Sequence, residues 1–330
     1  MGVVHQPIED AVGQGRVADL LVPLGHGQLT GEDRRAHLTA ILTDFQEVAA
    51  LGVGQGRHRP IVHRQHVHSR EASEEELKRL CERRLEGFDL LILYVDGVIF
   101  GEHHVRAAVG VDHEGKKQVL GIAEGAGENQ TVAKGLLEDA VRRGLATDRK
   151  HLFVMDGSKA LRAAIDAVFG AENPVQRCRH HKIENVMGYL PDDLKGQVKA
   201  VMRSAFRLPA REGMARLEKQ AEWLEREHPS AAASLRAGLA EMFTVNRLGL
   251  SPRLARCLVS TNVIESPHSG VRLRTRRVCR WRDGKMVLRW AAAALLMTEK
   301  NFRRMMGYRD LWMLEAALER KTIATQEKVA

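Results

Sequence analysis

Leu90-Leu91-Ile92-Leu93-Tyr94-Val95-Asp96-Gly97 is the stretch from which the rest of the chain is read. Six apolar residues in succession suit a strand buried on both faces, and the run closes on a carboxylate and a glycine. His151-Leu152-Phe153-Val154-Met155-Asp156-Gly157 ends in the same way. Asp and Gly are favoured turn formers, so either pair by itself reads as a turn. Their placement together says more. Strands are expected over 90–95, 104–111 and 117–123, with Asp112-His113-Glu114-Gly115 turning between the second and third. An amphipathic helix over 129–143 stops at Gly144, a natural C-terminal cap. A fourth strand over 152–155 leads into a helix with Leu161, Ile165 and Val168 at core spacing, and a fifth strand over 175–178 follows Pro174. The order βββαβαβ predicts an α/β fold whose mixed sheet starts antiparallel. In that order the first and fourth strands are parallel neighbours. Asp96 and Asp156 then share the carboxyl edge of the sheet, where α/β folds place their sites.

The third acidic residue is distant. Glu265 lies in Ser260-Thr261-Asn262-Val263-Ile264-Glu265, where three capable helix caps precede two apolar anchors. Arg272, Arg274, Arg276, Arg277, Arg280 and Arg282 follow, with Trp281 among them. On a continuous helix Arg272, Arg276 and Arg280 align at i, i+4 spacing. Basic side chains beside carboxylates suit backbone phosphates, and a tryptophan can stack on an unpaired base. A solvated basic face is the alternative. Two strand-end carboxylates and a helical one can hold Mg²⁺ or Mn²⁺, and two such ions activate a water or a 3′-hydroxyl at a phosphodiester.

Composition agrees. The chain has 330 residues, 44% of them apolar, and a formal net charge of +9. That is enough for a core and two domains, and the charge predicts an acidic partner, nucleic acid first. The longest uncharged apolar run, 290–297, is too short to span a bilayer, and the N-terminus lacks the pattern of a secretion signal. Cys81, Cys178, Cys257 and Cys279 form no CxxC pair, which predicts reduced thiols in a cytosol. The phosphate loop, the serine elbow and the zinc-protease helix motif are all missing.

In Val175-Gln176-Arg177-Cys178-Arg179-His180-His181-Lys182 the Cys-x2-His spacing is half of a zinc site without a second pair. The preferred reading makes Cys178 a small buried residue, with His181 and Lys182 supporting the sheet edge near substrate. The first 77 residues differ from all this. They hold seven of the fifteen His, repeated Gly pairs, and no Lys, Trp or Tyr. Apart from a helix over 33–51 they are expected to be poorly ordered, and the His-rich stretch 63–68 reads as polar loop. A capping-box pattern at Ser73 opens a helix over 73–85. The divisions that follow are 1–72, an atypical N-terminal segment; 73–190, the sheet; 191–258, helical over 192–206, 211–227 and 230–245; and 259–330, helical with breaks near Gly284 and Gly307.

From Phe88 to Met313 the chain resembles the Mutator-like transposases of bacterial insertion sequences. The resemblance rests on Tyr94-Val95-Asp96-Gly97-Val98, Ala108-Val109-Gly110-Val111-Asp112, Asp156-Gly157-Ser158-Lys159-Ala160-Leu161 and Val175-Gln176-Arg177-Cys178 leading to His181-Lys182. Thr261-Asn262-Val263-Ile264-Glu265-Ser266 and Arg280-Trp281-Arg282-Asp283-Gly284 complete it in the same order. It implies a ribonuclease H-like sheet with an all-helical insertion between the second Asp and the Glu, and a DDE site at Asp96, Asp156 and Glu265. It also implies strand transfer that depends on two Mg²⁺ or Mn²⁺ ions, DNA ends and target DNA as partners, a homo-oligomer on DNA, and a bacterial cytoplasm with no membrane. Residues 1–70 depart from the family's N-terminal helical region, which would impair end binding. Pro267 departs from a smooth helix after Glu265, because it cannot donate to residue 263. The rival readings are a non-catalytic DNA-binding remnant and a metal-dependent nuclease without strand transfer.

Overall fold

The computed structural model describes residues 59–125, 129–276, 278 and 280–318. The helix expected over 33–51 lies outside these residues. A long helix, α1 (Arg59–Glu82), leads into three antiparallel strands, β1 (Leu90–Phe100), β2 (His103–Asp112) and β3 (Lys117–Glu124). Then come α2 (Gln130–Arg142), β4 (Leu152–Met155), α3 (Lys159–Phe169) and β5 (Val175–Arg177). From there on the secondary structure is helical: α4 (Arg179–Met187), α5 (Asp192–Ala205), α6 (Ala210–Glu225), α7 (Pro229–Arg236), α8 (Thr244–Arg247), α9 (Pro252–Leu258), α10 (Asn262–Thr275) and α11 (Gly284–Glu299). A last helical stretch covers 311–318. The sheet order is β3-β2-β1-β4-β5, with β1, β4 and β5 parallel.

The local signals act largely as their chemistry requires. Asn129 caps α2 by accepting from the Thr131 and Val132 amides, at 2.9 and 3.4 Å. Gly144 stops that helix at φ +100°, where an added Cβ would lie 3.1 Å from the Glu86 amide nitrogen. Asp112 accepts from the amides of Glu114 and Lys116 and closes the β2–β3 turn.

Three expectations are corrected. The helix read from Ser73 begins at Arg59 and takes in the stretch 63–68. Ser73 is not a cap: it is buried, and its hydroxyl donates to the Arg70 carbonyl at 2.9 Å, a bond open to serine within a helix. The helix read over 230–245 breaks after Arg236. Gly238 there has φ +68°, and the Arg177 guanidinium passes through the space that a Cβ would occupy. Only glycine permits both that conformation and that approach. Finally, β1 continues to Phe100 rather than ending at Val95.

Strand periodicity divides the core. Leu93, Val95, Phe153 and Met155 face α2 and α3, packing on Leu136, Leu137, Leu161 and Ile165. Ile92, Tyr94, Leu152 and Val154 face the other way, onto Ile264, Val271, Ala291 and Leu295 of α10 and α11. A third core, with Val198, Leu217, Leu235 and Phe243, holds the helices that follow β5.

Candidate active site

Asp96 and Asp156 inherit their surroundings from that periodicity. Asp96 is two residues beyond Tyr94 and Asp156 two beyond Val154, so both point to the face covered by α10. In the parallel register Val95 pairs with Met155, and Met155 with Arg177. The next position on each strand brings Asp96, Asp156 and Cys178 into one row, with neighbouring strands about 4.8 Å apart. β4 and β5 stop there, whereas β1 runs on, with Asp96 paired to Ala107 of β2. Asp96 is therefore not a turn residue. It is a mid-strand carboxylate exposed to the site because its parallel neighbours end.

Glu265 reaches this row from the first turn of α10. Its Oε1 accepts from the Thr261 hydroxyl at 3.0 Å. Thr261 is itself buried, with its amide and hydroxyl each 3.4 Å from Cys178 Sγ and its hydroxyl 3.4 Å from His181 Nδ1. The Arg179 amide donates to the Val259 carbonyl at 3.0 Å, which ties the start of α4 to the approach of α10. Pro267 is accommodated: α10 continues through it to Thr275.

The electrostatics match the geometry. Burial pushes the Asp96 carboxyl up to about 6, with Asp156 and Glu265 adding repulsion and His181 and the Gly97 amide opposing it. Asp96 Oδ1 accepts from Gly97 at 2.9 Å, and Asp156 Oδ1 from the Ser158 amide at 3.0 Å. The hydrogen bond with Cys178 raises His181 to about 9 against its partial burial. Burial pushes the Cys178 thiol up, yet its bonds with His181 and Thr261 bring it below the ordinary thiol value.

Sequence reasoning missed His268. It stands at i+3 from Glu265, on the side of α10 that faces Asp96, and that spacing was the available signal. The ring is 1% exposed, with Nδ1 3.8 Å from Asp96 Oδ2. Its Nε2 is buried with no hydrogen-bond partner among the described residues. Burial, then the nearby Arg272, lowers it to about 4, so at neutral pH it is an uncharged imidazole and the contact is no ion pair.

Other expected site residues are placed differently. Lys182 turns away from the sheet edge: Nζ donates to the carbonyls of Ser234 and Ala237 at 2.6 and 2.7 Å, fastening α7. Burial lowers it to about 8. Arg272 and Arg276 are exposed, at the end of α10 and just past it. Arg274 is half-buried and donates to the Gly270 carbonyl at 3.1 Å. Because the helix ends at Thr275, Arg280 does not continue a helical row with Arg272 and Arg276. Arg280 and Arg282 are exposed in the connection to α11, and Arg277 lies outside the described residues. Trp281 is half-buried, and its ring meets Phe100 in a T-shaped arrangement with centroids 5.2 Å apart. No helix among the described residues is long and apolar enough to cross a membrane.

The site thus defines an α/β protein of basic charge with a partly desolvated acidic corner at the carboxyl edge of its parallel strands. Residues 70–305 match the family described as Transposase, Mutator family, and the chain belongs to that family. It is 29% identical over 170 residues to the transposase for insertion sequence element IST2 of Acidithiobacillus ferrooxidans, covering 51% of this chain and 56% of the relative. Identity to the transposase for insertion sequence element IS406 of Burkholderia multivorans is 31% over 193 residues, 58% of this chain and 48% of the relative. For the transposase for insertion sequence element IS1081 of Mycobacterium tuberculosis it is 28% over 236 residues, 70% and 55%. The chain spans about half the length of these curated relatives.

Proposed function

We propose that this chain is a DDE-type transposase with a ribonuclease H-like catalytic unit, cleaving and joining DNA at the ends of an insertion sequence. The observation that carries the reading is the nearness of Asp156 and Glu265 to buried Asp96 at one partly desolvated corner of a chain with net charge +9. The relatives' names support it. Within the reading, 73–190 and 259–330 build the catalytic unit, 191–258 is its helical insertion, and the protein works as a homo-oligomer on DNA in the bacterial cytoplasm.

A divalent cation fits this corner. The three donors are hard carboxylate oxygens, and burial of Asp96, with repulsion from Asp156 and Glu265 added to it, leaves that carboxyl up at about 6. Asp96, Asp156 and Glu265 would hold two Mg²⁺ or Mn²⁺ ions, which when bound supply Lewis acidity at the phosphodiester and lower the pKa of an attacking water or 3′-hydroxyl. The chain's own groups prepare the geometry. The Gly97 and Ser158 amides each fix one oxygen of an aspartate, and the Thr261 hydroxyl fixes one oxygen of Glu265. Uncharged His268 fills the space behind Asp96 without neutralising it. Arg272, Arg276, Arg280 and Arg282 bind backbone phosphates and hold the strand over the corner.

The test is a supercoiled plasmid carrying the element's ends, incubated with the full chain and with Mg²⁺ or Mn²⁺. Cleaved and joined products are expected, with Asp156→Asn reducing them by about a thousandfold while DNA binding persists. Binding without cleavage in either metal would make the chain a remnant. Cleavage without joining would make it a nuclease.

A further inference from the structure

Beside the carboxylate corner lies a second donor set of different chemistry. The ligand atoms of Cys178, His181 and Glu265 all lie within 4.8 Å of one another. Cys178 is the N-cap of α4 and His181 is one turn further along the same helix, while Glu265 comes from α10. The Arg179–Val259 backbone bond ties the start of α4 to the segment that leads into α10. The set therefore does not depend on a loose loop.

The Thr261 hydroxyl touches all three: Glu265 Oε1 at 3.0 Å, Cys178 Sγ at 3.4 Å and His181 Nδ1 at 3.4 Å. A hydroxyl has one proton to give. It goes to one acceptor, and protonated His181 donates in turn to the hydroxyl oxygen, so hydrogen bonding does not by itself demand a cation; what suits one is the closeness of the three ligand atoms. Thiolate and imidazole are soft and borderline donors that select zinc over magnesium. Zinc bonds of about 2.0–2.3 Å set tetrahedral ligand atoms about 3.3–3.8 Å apart. Closing the present triangle takes about 1 Å of movement, within reach of side-chain rotation at His181 and Glu265.

We propose that Cys178, His181 and Glu265 form a zinc site, with water as fourth ligand, separate in chemistry from the carboxylate pair but sharing Glu265 with it. Zinc and the hard cations then compete for one carboxylate. The binding claim stands on the donor set alone. The consequence, that zinc withdraws Glu265 and slows strand cleavage until a chelator removes it, rests on the function proposed above.

Cobalt is the probe, because a thiolate ligand adds a charge-transfer band to the tetrahedral Co²⁺ spectrum. The metal-stripped full chain, titrated with Co²⁺ in the absence of DNA and Mg²⁺, should show that band at one equivalent and lose it on adding Zn²⁺. Asp156→Asn should leave the spectrum unchanged. Cys178→Ser should abolish the charge-transfer band, and His181→Ala should weaken zinc by tenfold or more against a chromogenic chelator. No thiolate band in the natural chain overturns the site, as does a band that survives Cys178→Ser. If Cys178→Ser does not fold, zinc affinity undiminished in His181→Ala overturns it instead. A cobalt spectrum of this kind beside a failed plasmid assay would sink the transposase reading and leave the zinc site standing; the reverse result would sink the site alone.

Discussion

One face of the sheet is covered by α2 and α3, which belong to the crossovers that carry the chain from β3 to β4 and from β4 to β5. The opposite face is covered by α10 and α11, which arrive more than a hundred residues after β4. Both faces are closely packed. Yet the acidic corner lies only under the second, since strand parity turns Asp96 and Asp156 toward α10. On the first face the cover stops short: beyond Val95 the alternate residues Gly97 and Ile99 are exposed. Local crossovers thus build the scaffold, and the distant helices complete the chemistry. A single-residue slip of β1 would send Asp96 to the scaffold face and leave Glu265 without it.

The largest test of this contrast is a pair of core truncations. Leu137 on the scaffold face and Leu295 on the site face are both fully buried. Leu137→Ala and Leu295→Ala should each cost about 2–5 kcal/mol in denaturant unfolding. Only Leu295→Ala, which loosens the support of α10, should also weaken Mn²⁺ binding measured calorimetrically at a temperature where both variants are folded. Equal loss of metal affinity in both would erase the distinction between the faces.

A somewhat smaller effect sharpens the account of the corner. The folded pKa of Asp96, about 6, lies above its ordinary value of 3.8. The sign follows: its contribution to stability is full below 3.8 and is lost as pH rises through about 6. At pH 7, without metal, the ionised carboxylate costs the fold up to about 3 kcal/mol. Asp96→Asn keeps an acceptor for Gly97 and carries no charge. Its melting temperature in chelator should therefore exceed that of the natural chain at pH 7, with the gain gone by about pH 4. A variant no more stable at pH 7 would mean that the carboxylate is not desolvated.

The smallest effect concerns the exposed arginines. Replacing Arg272 and Arg276 by Ala should weaken DNA binding evenly across sequences and lower the salt slope by about one for each phosphate no longer neutralised. The melting temperature should hardly move, because both side chains are exposed. An unchanged salt slope would place the DNA elsewhere.

The parts of the site that could be read beforehand belong to local patterns. Asp96 and Asp156 each close an apolar run, and Glu265 follows a cluster of caps. The parts that could not be read have no local pattern. Lys182 looks the same in sequence whether it faces substrate or fastens α7, and burial of its ammonium against two carbonyls decides between them. Trp281 sits among arginines, which suggests a nucleic-acid platform, and its contact with Phe100 across the fold has no local signal. The row of arginines predicted at i, i+4 fails because α10 stops at Thr275. His268 was legible only as an i+3 neighbour of Glu265, a spacing common on any helix.

Which segments are strands, how they follow one another in the sheet, and that β1 and β4 are neighbours can all be read from the residues alone. Apolar runs, parity and terminating residues act within a few positions of one another, so short stretches suffice. Where the third carboxylate arrives, what lies behind Asp96, and why Cys178, His181 and Glu265 meet around one hydroxyl follow instead from the folded arrangement of distant elements. Those contacts join positions about 80 to 170 residues apart, from Cys178 and Thr261 to Asp96 and His268. Packing of the whole core stabilises them against the entropy of closing such loops, and no short stretch of sequence carries that term.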